Sequence, residues 1–223
     1  DFTVSCSNGA GASAPTSSAT ATLTVTAAPI PVVDCGVTGL PTTALVAPIG
    51  VAATGNITNC IPGACSVAGT PALLTPDLTD FATMSINLGL DGTLGLGDAL
   101  GLNSTPSLAV MSALAIPPGR KVGFMVSSGP GAIPLVGLNL VQNIVVSTLA
   151  ADGTTVVESA DPDGGVELEG LTLDLGNSLL GSPQRSFISF TTTAASRGAR
   201  LQFNSALAAV LSDLRVYSAC VSQ

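Results

Sequence analysis

Residues 186–221 alternate apolar and polar side chains with a period of two, the spacing of a strand with one buried face. Ile188 and Phe190 share a face, with Ser189 and Thr191 opposite. Leu201 and Phe203 alternate with Arg200, Gln202 and Asn204, and Leu214, Val216, Ser218 and Cys220 are set against Arg215, Tyr217, Ala219 and Val221. The chain has six Phe and one Tyr, and Phe187, Phe190, Phe203 and Tyr217 fall here, so the best-packed part of the core is expected in this stretch. The apolar run 206–211 is too short for an independent helix and reads as a one- or two-turn crossover.

Upstream, the same reasoning predicts strands at 81–88, 107–114, 121–127, 144–149, 154–158 and 166–175. Ala151-Asp152-Gly153 predicts a hairpin between 144–149 and 154–158, because Asp-Gly tolerates the positive φ of a primed turn, and Pro117-Pro118-Gly119 marks another turn. Nowhere does a helical period run beyond two turns. About nine strands without βαβ alternation make the chain all-β, an antiparallel β-sandwich or jelly roll.

At 223 residues the chain is long enough to bury about 70% of its unfolded surface. Hydrophobic residues make up 46% but aromatics only 3%, so the core has to be assembled from Leu, Val, Ala and Ile. Charged residues are 9%, against roughly 25% in an ordinary soluble domain. So few charges leave little to oppose association, which implies a surface covered by neighbouring copies or by glycan. The net charge of −8, with six basic residues, excludes a nucleic-acid footprint. The longest apolar candidate, 132–151, is broken by Pro134, Gly137, Asn139, Gln142 and Asn143, so no membrane span is expected. Asp1 reads as a processed or truncated start, with no signal peptide in the chain.

Residues 1–28 read as two strands joined by a loop of small residues. In the second, Ala19, Ala21, Leu23, Val25 and Ala27 alternate with Thr20, Thr22, Thr24 and Thr26. Pro29-Ile30-Pro31 forms a stiff hinge, since proline cannot donate to a ladder. The chain therefore divides into an N-terminal extension strand with its hinge, 1–31, and a β-sandwich domain, 32–223. The apolar face of 19–27 can complete a sheet but is too thin to form a core alone. The hinge favours its insertion into another subunit, a head-to-tail contact that generates a filament when its rotation does not close. From 32 to 76 periodicity is weak, and short strands or coil pinned by cysteines are expected.

Five cysteines and no histidine, in a chain rich in Thr, Ser, Ala and Gly, point to disulfides in an oxidising setting rather than to zinc. Cys35 is expected to pair with Cys220, because first and last strands of a sandwich often run side by side. Cys60 is expected to pair with Cys65 around the turn Ile61-Pro62-Gly63-Ala64, leaving Cys6 over. Without histidine there is no base for a nucleophilic triad, and without Trp there is little to stack on sugars, so no enzyme activity is expected. The Gly- and Leu-rich run 87–103 lacks the following helix a phosphate loop needs.

Asp161 and Asp163, with Glu167 and Glu169, form the stronger of two clusters with calcium-ligand chemistry. The preferred reading is a solvated turn and strand face with no tightly bound ion, and Asp77 with Asp80 is a weaker second cluster. Asn56-Ile57-Thr58 and Asn103-Ser104-Thr105 have the form of glycan acceptors.

Thr3-Val-Ser-Cys-Ser-Asn8, with 19–26, resembles the final hairpin of bacterial immunoglobulin-like domains. That resemblance implies that the earlier strands of such a domain, and the usual partner of Cys6, are missing from this chain. A second resemblance rests on Asp77-Leu-Thr-Asp-Phe-Ala-Thr83, Pro118-Gly-Arg-Lys-Val-Gly-Phe-Met-Val126, Asn143-Ile-Val-Val-Ser-Thr148, Arg185-Ser-Phe-Ile-Ser-Phe-Thr-Thr-Thr193 and Leu211-Ser-Asp-Leu-Arg-Val-Tyr217. Residues 77–221 resemble a β-sandwich domain of large secreted and surface-anchored bacterial adhesin-like proteins, including those of Bacteroidetes. This implies an extracellular, cell-surface module with a structural or adhesive role and no cofactor. The expected function is a structural subunit of a bacterial surface fibre, its partners being copies of itself. The alternative is an adhesin-type module binding carbohydrate or a cell surface, with or without calcium.

Overall fold

The alternating runs become strands where the turns between them are well marked. In a computed structural model, residues 32–37, 39–58, 65–86, 105–129, 144–160, 167–169, 185–203 and 213–223 are described. They contain β1 (Thr42–Ala44), β2 (Gly50–Thr58), β3 (Cys65–Ala68), a 3-10 helix (Thr70–Leu74), β4 (Ala82–Ile86), β5 (Thr105–Ile116) and β6 (Lys121–Ser128). These are followed by β7 (Ile144–Leu149), β8 (Val156–Ala160), β9 (Glu167–Glu169), β10 (Ser186–Thr191), β11 (Ser196–Phe203) and β12 (Asp213–Ser222). No α-helix occurs among the described residues. The crossover expected at 206–211 and the extension strand lie outside them.

All strand pairs among the described residues are antiparallel. One sheet runs β3-β4-β12-β6-β10-β9, with β1 beside the C-terminal half of β12; the other runs β2-β5-β11-β7-β8. Within them, β4 pairs with β12, β5 with β11, β6 with β10 and β7 with β8. A chain folded back on itself in nested pairs, then split between two facing sheets as 4-12-6-10 and 5-11-7-8, is a jelly roll. β1, β3 and β9 widen the first sheet and β2 the second.

The space between the sheets is filled by Leu, Val and Ile from both, around a fully buried Phe124. Ile188, Phe190, Leu201, Leu214 and Val216 point into it as their alternation predicts. β12 then departs from the expected pattern. A register shift between Val216 and Ser218 reverses the phase, so Ala219 and Val221 join the inner core while Cys220 joins Tyr217 on the outer face. A bulge adds one residue to one strand and leaves every later side chain on the opposite face.

That outer face carries a second core. Cys35, Val37, Ala44, Val46, Met125, Phe187, Tyr217 and Cys220 pack together, so β10 and β12 are buried on both sides. The cover is the segment from residue 32 to β1. Ala44 donates its N–H to the Val33 carbonyl at 2.7 Å. The Asp34 carboxylate accepts from Gly36 N at 3.1 Å and Thr42 Oγ1 at 2.8 Å, bonds that hold its pKa below the ordinary carboxylate value. A disulfide between Cys35 and Cys220, with Cα atoms 6.4 Å apart, fixes the segment to the sheet. Gly123 allows the close approach of β6 and β10 in this sheet: a Cβ there would stand 2.0 Å from the Ile188 carbonyl oxygen.

Candidate interaction surface

An antiparallel sandwich has its unpaired backbone groups along the sheet edges, and proteins protect such edges with charge, proline, short length or cover. Three of the outermost strands here follow that rule. β9 has three residues, two of them Glu. β3 has four residues, and its Cys65 is disulfide-bonded. β8 has five and carries Glu158, whose carboxylate accepts from Thr193 N at 2.9 and 3.0 Å and from Thr193 Oγ1. Those bonds lower the Glu158 pKa, the Thr193 hydroxyl contributing most.

β2 follows none of these rules. It is nine residues long, Gly-Val-Ala-Ala-Thr-Gly-Asn-Ile-Thr, with no charge and no proline. One side pairs with β5 from Gly50 to Thr58, and among the described residues no strand pairs with the other. Val51 is 59% exposed and Ile57 41%, while Thr54 and Asn56 are also exposed. Its inner positions are small because the sandwich narrows at this corner. Ala53 packs on the inner core, and a Cβ on Gly55 would come within 2.5 Å of Val67 of β3. Residues 50–58 fall in the part of the sequence with weak periodicity, because Ala, Gly and Thr give little contrast between faces. The available signal is the alternation of Val51, Ala53, Gly55 and Ile57 with Ala52, Thr54, Asn56 and Thr58.

At the N-terminal end of β2 lies a shallow groove of about 300 Å³, lined by Val51, Ala52, Met111, Asp152, Gly153 and Arg197 among others. Its two charged groups are engaged at its rim. The Arg197 guanidinium donates to the Ala113 carbonyl. Asp152 accepts from Thr154 N and Thr155 N, both at 2.9 Å, and from Thr155 Oγ1 at 2.5 Å. This is the predicted Asp-Gly hairpin turn, with Gly153 at φ 72°. The Thr155 hydroxyl is the largest influence on Asp152, whose pKa is lowered to about 2.

A depressed folded-state pKa means that the carboxylate supports the turn fully above the ordinary value of 3.8 and loses that support as pH falls through about 2. A carboxyl-carbon NMR titration is expected to place the Asp152 midpoint near 2, and Thr155→Val is expected to move it toward 3.8. A midpoint already at 3.8 in the parent chain would dissolve the turn as described.

The aromatic residues of the outer face are already partnered. Tyr217 is 2% exposed, with the Arg185 guanidinium 3.9 Å above its ring and its hydroxyl 3.0 Å from Ser127 Oγ. Phe81 meets Tyr217 edge-on at 5.7 Å, and Arg215 lies 4.4 Å over the Phe81 ring. The chain's one tyrosine is therefore not presented as a stacking platform for a ligand.

Of the residues singled out from sequence, Cys35 and Cys220 are joined; Cys60 and Cys6 lie outside the described residues. Ala19, Ala21, Leu23, Val25 and Ala27 also lie outside, as do Asp161, Asp163 and Asn103. Glu167 and Glu169 form part of β9, in register with Ser189 and Phe187. Asp77 accepts from Thr79 N at 2.9 Å and Thr79 Oγ1 at 2.6 Å in a local turn, while Asp80 accepts from Thr75 Oγ1. Among the described residues no three His, Cys, Asp or Glu side chains converge, and no helix is long and apolar enough to cross a membrane.

No family model matches the chain, and no curated protein matches it. Among solved structures, the enzymatically active domain of tailspike protein 4 of bacteriophage CBA120 is similar over 77% of this chain, at 11% identity and a TM-score of 0.30. The chain spans 18% of the length of that protein chain.

Proposed function

We propose that this chain is an extracellular structural subunit that assembles, through addition of its strand 19–27 to the sheet of a neighbouring copy, into a surface fibre or filament. The observation that carries the reading is β2, a nine-residue edge with neither charge nor proline. A sheet edge of that kind is a template for another strand. Charged residues at 9% of the chain leave association unopposed, and a disulfide closed across 185 residues suits an oxidising, extracellular compartment.

Catalysis has no part in this reading, because the chain contains no histidine and its charged groups at the groove rim are already bonded. Carbohydrate binding has less support, since Tyr217 is covered by Arg185.

Deletion of residues 1–28 tests the reading. The parent chain is expected to form head-to-tail assemblies by sedimentation and negative-stain microscopy, and the shortened chain to remain monomeric. Assemblies that persist unchanged after the deletion would exclude donation.

A further inference from the structure

We infer that the acceptor is the free side of β2, that the incoming strand 19–27 runs antiparallel to it, and that the hinge behind that strand seats Ile30 in the groove beside Val51 and Met111. The assignment rests on the strand-donation reading above and adds to it the edge, the direction and the anchor.

Four observations converge on this site. Among the edges of the described strands, β2 alone combines length with the absence of charge, and residues 19–27 match it in residue number. Neither strand carries a charge to repel the other. The inner positions of β2 are Ala53 and Gly55, which themselves bring little apolar surface to the core, so a neighbouring strand with an apolar inward face would extend it. Residues 19–27 bring Ala19, Ala21, Leu23, Val25 and Ala27 on one face, with Thr20, Thr22, Thr24 and Thr26 on the other. Those threonines would lie alongside the exposed Thr54, Asn56 and Thr58, where cross-strand hydroxyl pairs stabilise a sheet.

The groove fixes the direction. In an antiparallel pair residue 27 lies at the Gly50 end of β2, which is where Val51, Ala52 and Met111 line the groove. Ala28-Pro29-Ile30-Pro31 would then leave the strand at the groove, where Val51, Ala52 and Met111 are its apolar lining. A parallel strand would carry the hinge to the Thr58 end, away from the groove.

The test uses the full-length chain and three sets of substitutions: Leu23→Asp on the donor, Thr54→Lys with Asn56→Lys on the acceptor, and Ile30→Asp at the anchor. Thr54 and Asn56 are exposed, so circular dichroism and thermal melting are expected to match the parent. Each set is expected to raise the concentration of half-assembly, read by sedimentation velocity, at least about tenfold. In the assembled parent, hydrogen exchange is expected to slow at the β2 amides that point away from β5, a readout that needs no variant. Loss of assembly with Leu23→Asp alone would move the acceptor to another edge and overturn this inference while leaving donation standing. Unchanged assembly with Ile30→Asp would overturn the anchor and the direction. A discrete dimer sensitive only to the lysines would mean that β2 pairs with β2 of a second copy, and would overturn both. A parent chain that stays monomeric, or variants that all assemble as the parent does, would end the donation reading itself.

Discussion

Replacing Cys35 and Cys220 together by alanine is expected to cost about 4–5 kcal/mol of stability, lowering the melting temperature by roughly 10–15 °C. The size follows from where the bond sits. It closes a separation of 185 residues, nearly the whole sandwich, so cutting it gives the unfolded chain a large gain in conformational freedom. In the folded state both sulfurs are buried in the outer core, and Ser218 Oγ lies 3.2 Å from the Cys220 sulfur. Urea unfolding of the double variant under oxidising conditions, compared with the parent with and without reductant, measures the effect. A loss below about 1 kcal/mol would mean that the hydrogen bonds accepted by Asp34 and Val33 hold the covering segment without the covalent bond.

Phe124→Ala is expected to cost about 3–5 kcal/mol, the range for emptying a fully buried aromatic site. Phe124 is in β6, opposite Ile188 of β10 on one side and Ala219 of β12 on the other. Its ring is one of few large groups in a core otherwise made of Leu, Val, Ile and Ala, and paired backbone on both sides of β6 limits the collapse that could refill the cavity. The control is Leu114→Ala on β5, where a half-exposed side chain is expected to change stability by no more than about 0.5 kcal/mol. A similar small change for both variants in urea unfolding would refute the inner core as described.

The parts of the fold legible in the sequence are those where one face is apolar and a turn fixes the phase. The strand at 144–149 was predicted with the bounds it has, because Asp152-Gly153 pins its hairpin. Ile188, Phe190 and Leu201 mark the inner face of β10 and β11 through the same alternation. Two features escape this logic. Period-two alternation encodes one buried face, so it cannot announce that Phe187 and Tyr217 are buried on the other by a segment near the start of the described chain. Nor does it reveal the shift at Val216/Ser218, because Ser218, Ala219 and Cys220 are small enough to fit on either side. The candidate surface was hidden for a third reason: β2 is built from Ala, Gly and Thr, and its interest lies in lacking the charges that make other edges easy to recognise.

The nested pairing also sets the order in which the chain can become stable. β7 and β8 are joined by a tight turn and can meet as soon as both exist, and β4 and β5 can meet β3 and β2, but β6 must wait for β10 and β12, and β4 and β5 gain their second partners only with β12 and β11. β12, the last of the described strands, lies between β6 on one side and β4 with β1 on the other, so until it is made the first sheet has no middle. A chain emerging from its N-terminus through a ribosome or an export pore must therefore carry unpaired β1 and β6, and a β4 paired on one side alone, for most of its length. During that interval a holding factor, or continued extension in the pore, has to keep those strands from finding partners in other chains. A stop codon or proteolytic cut just before β12 would do more than trim an end: it would leave eleven of the twelve described strands, with the first sheet permanently open along its centre.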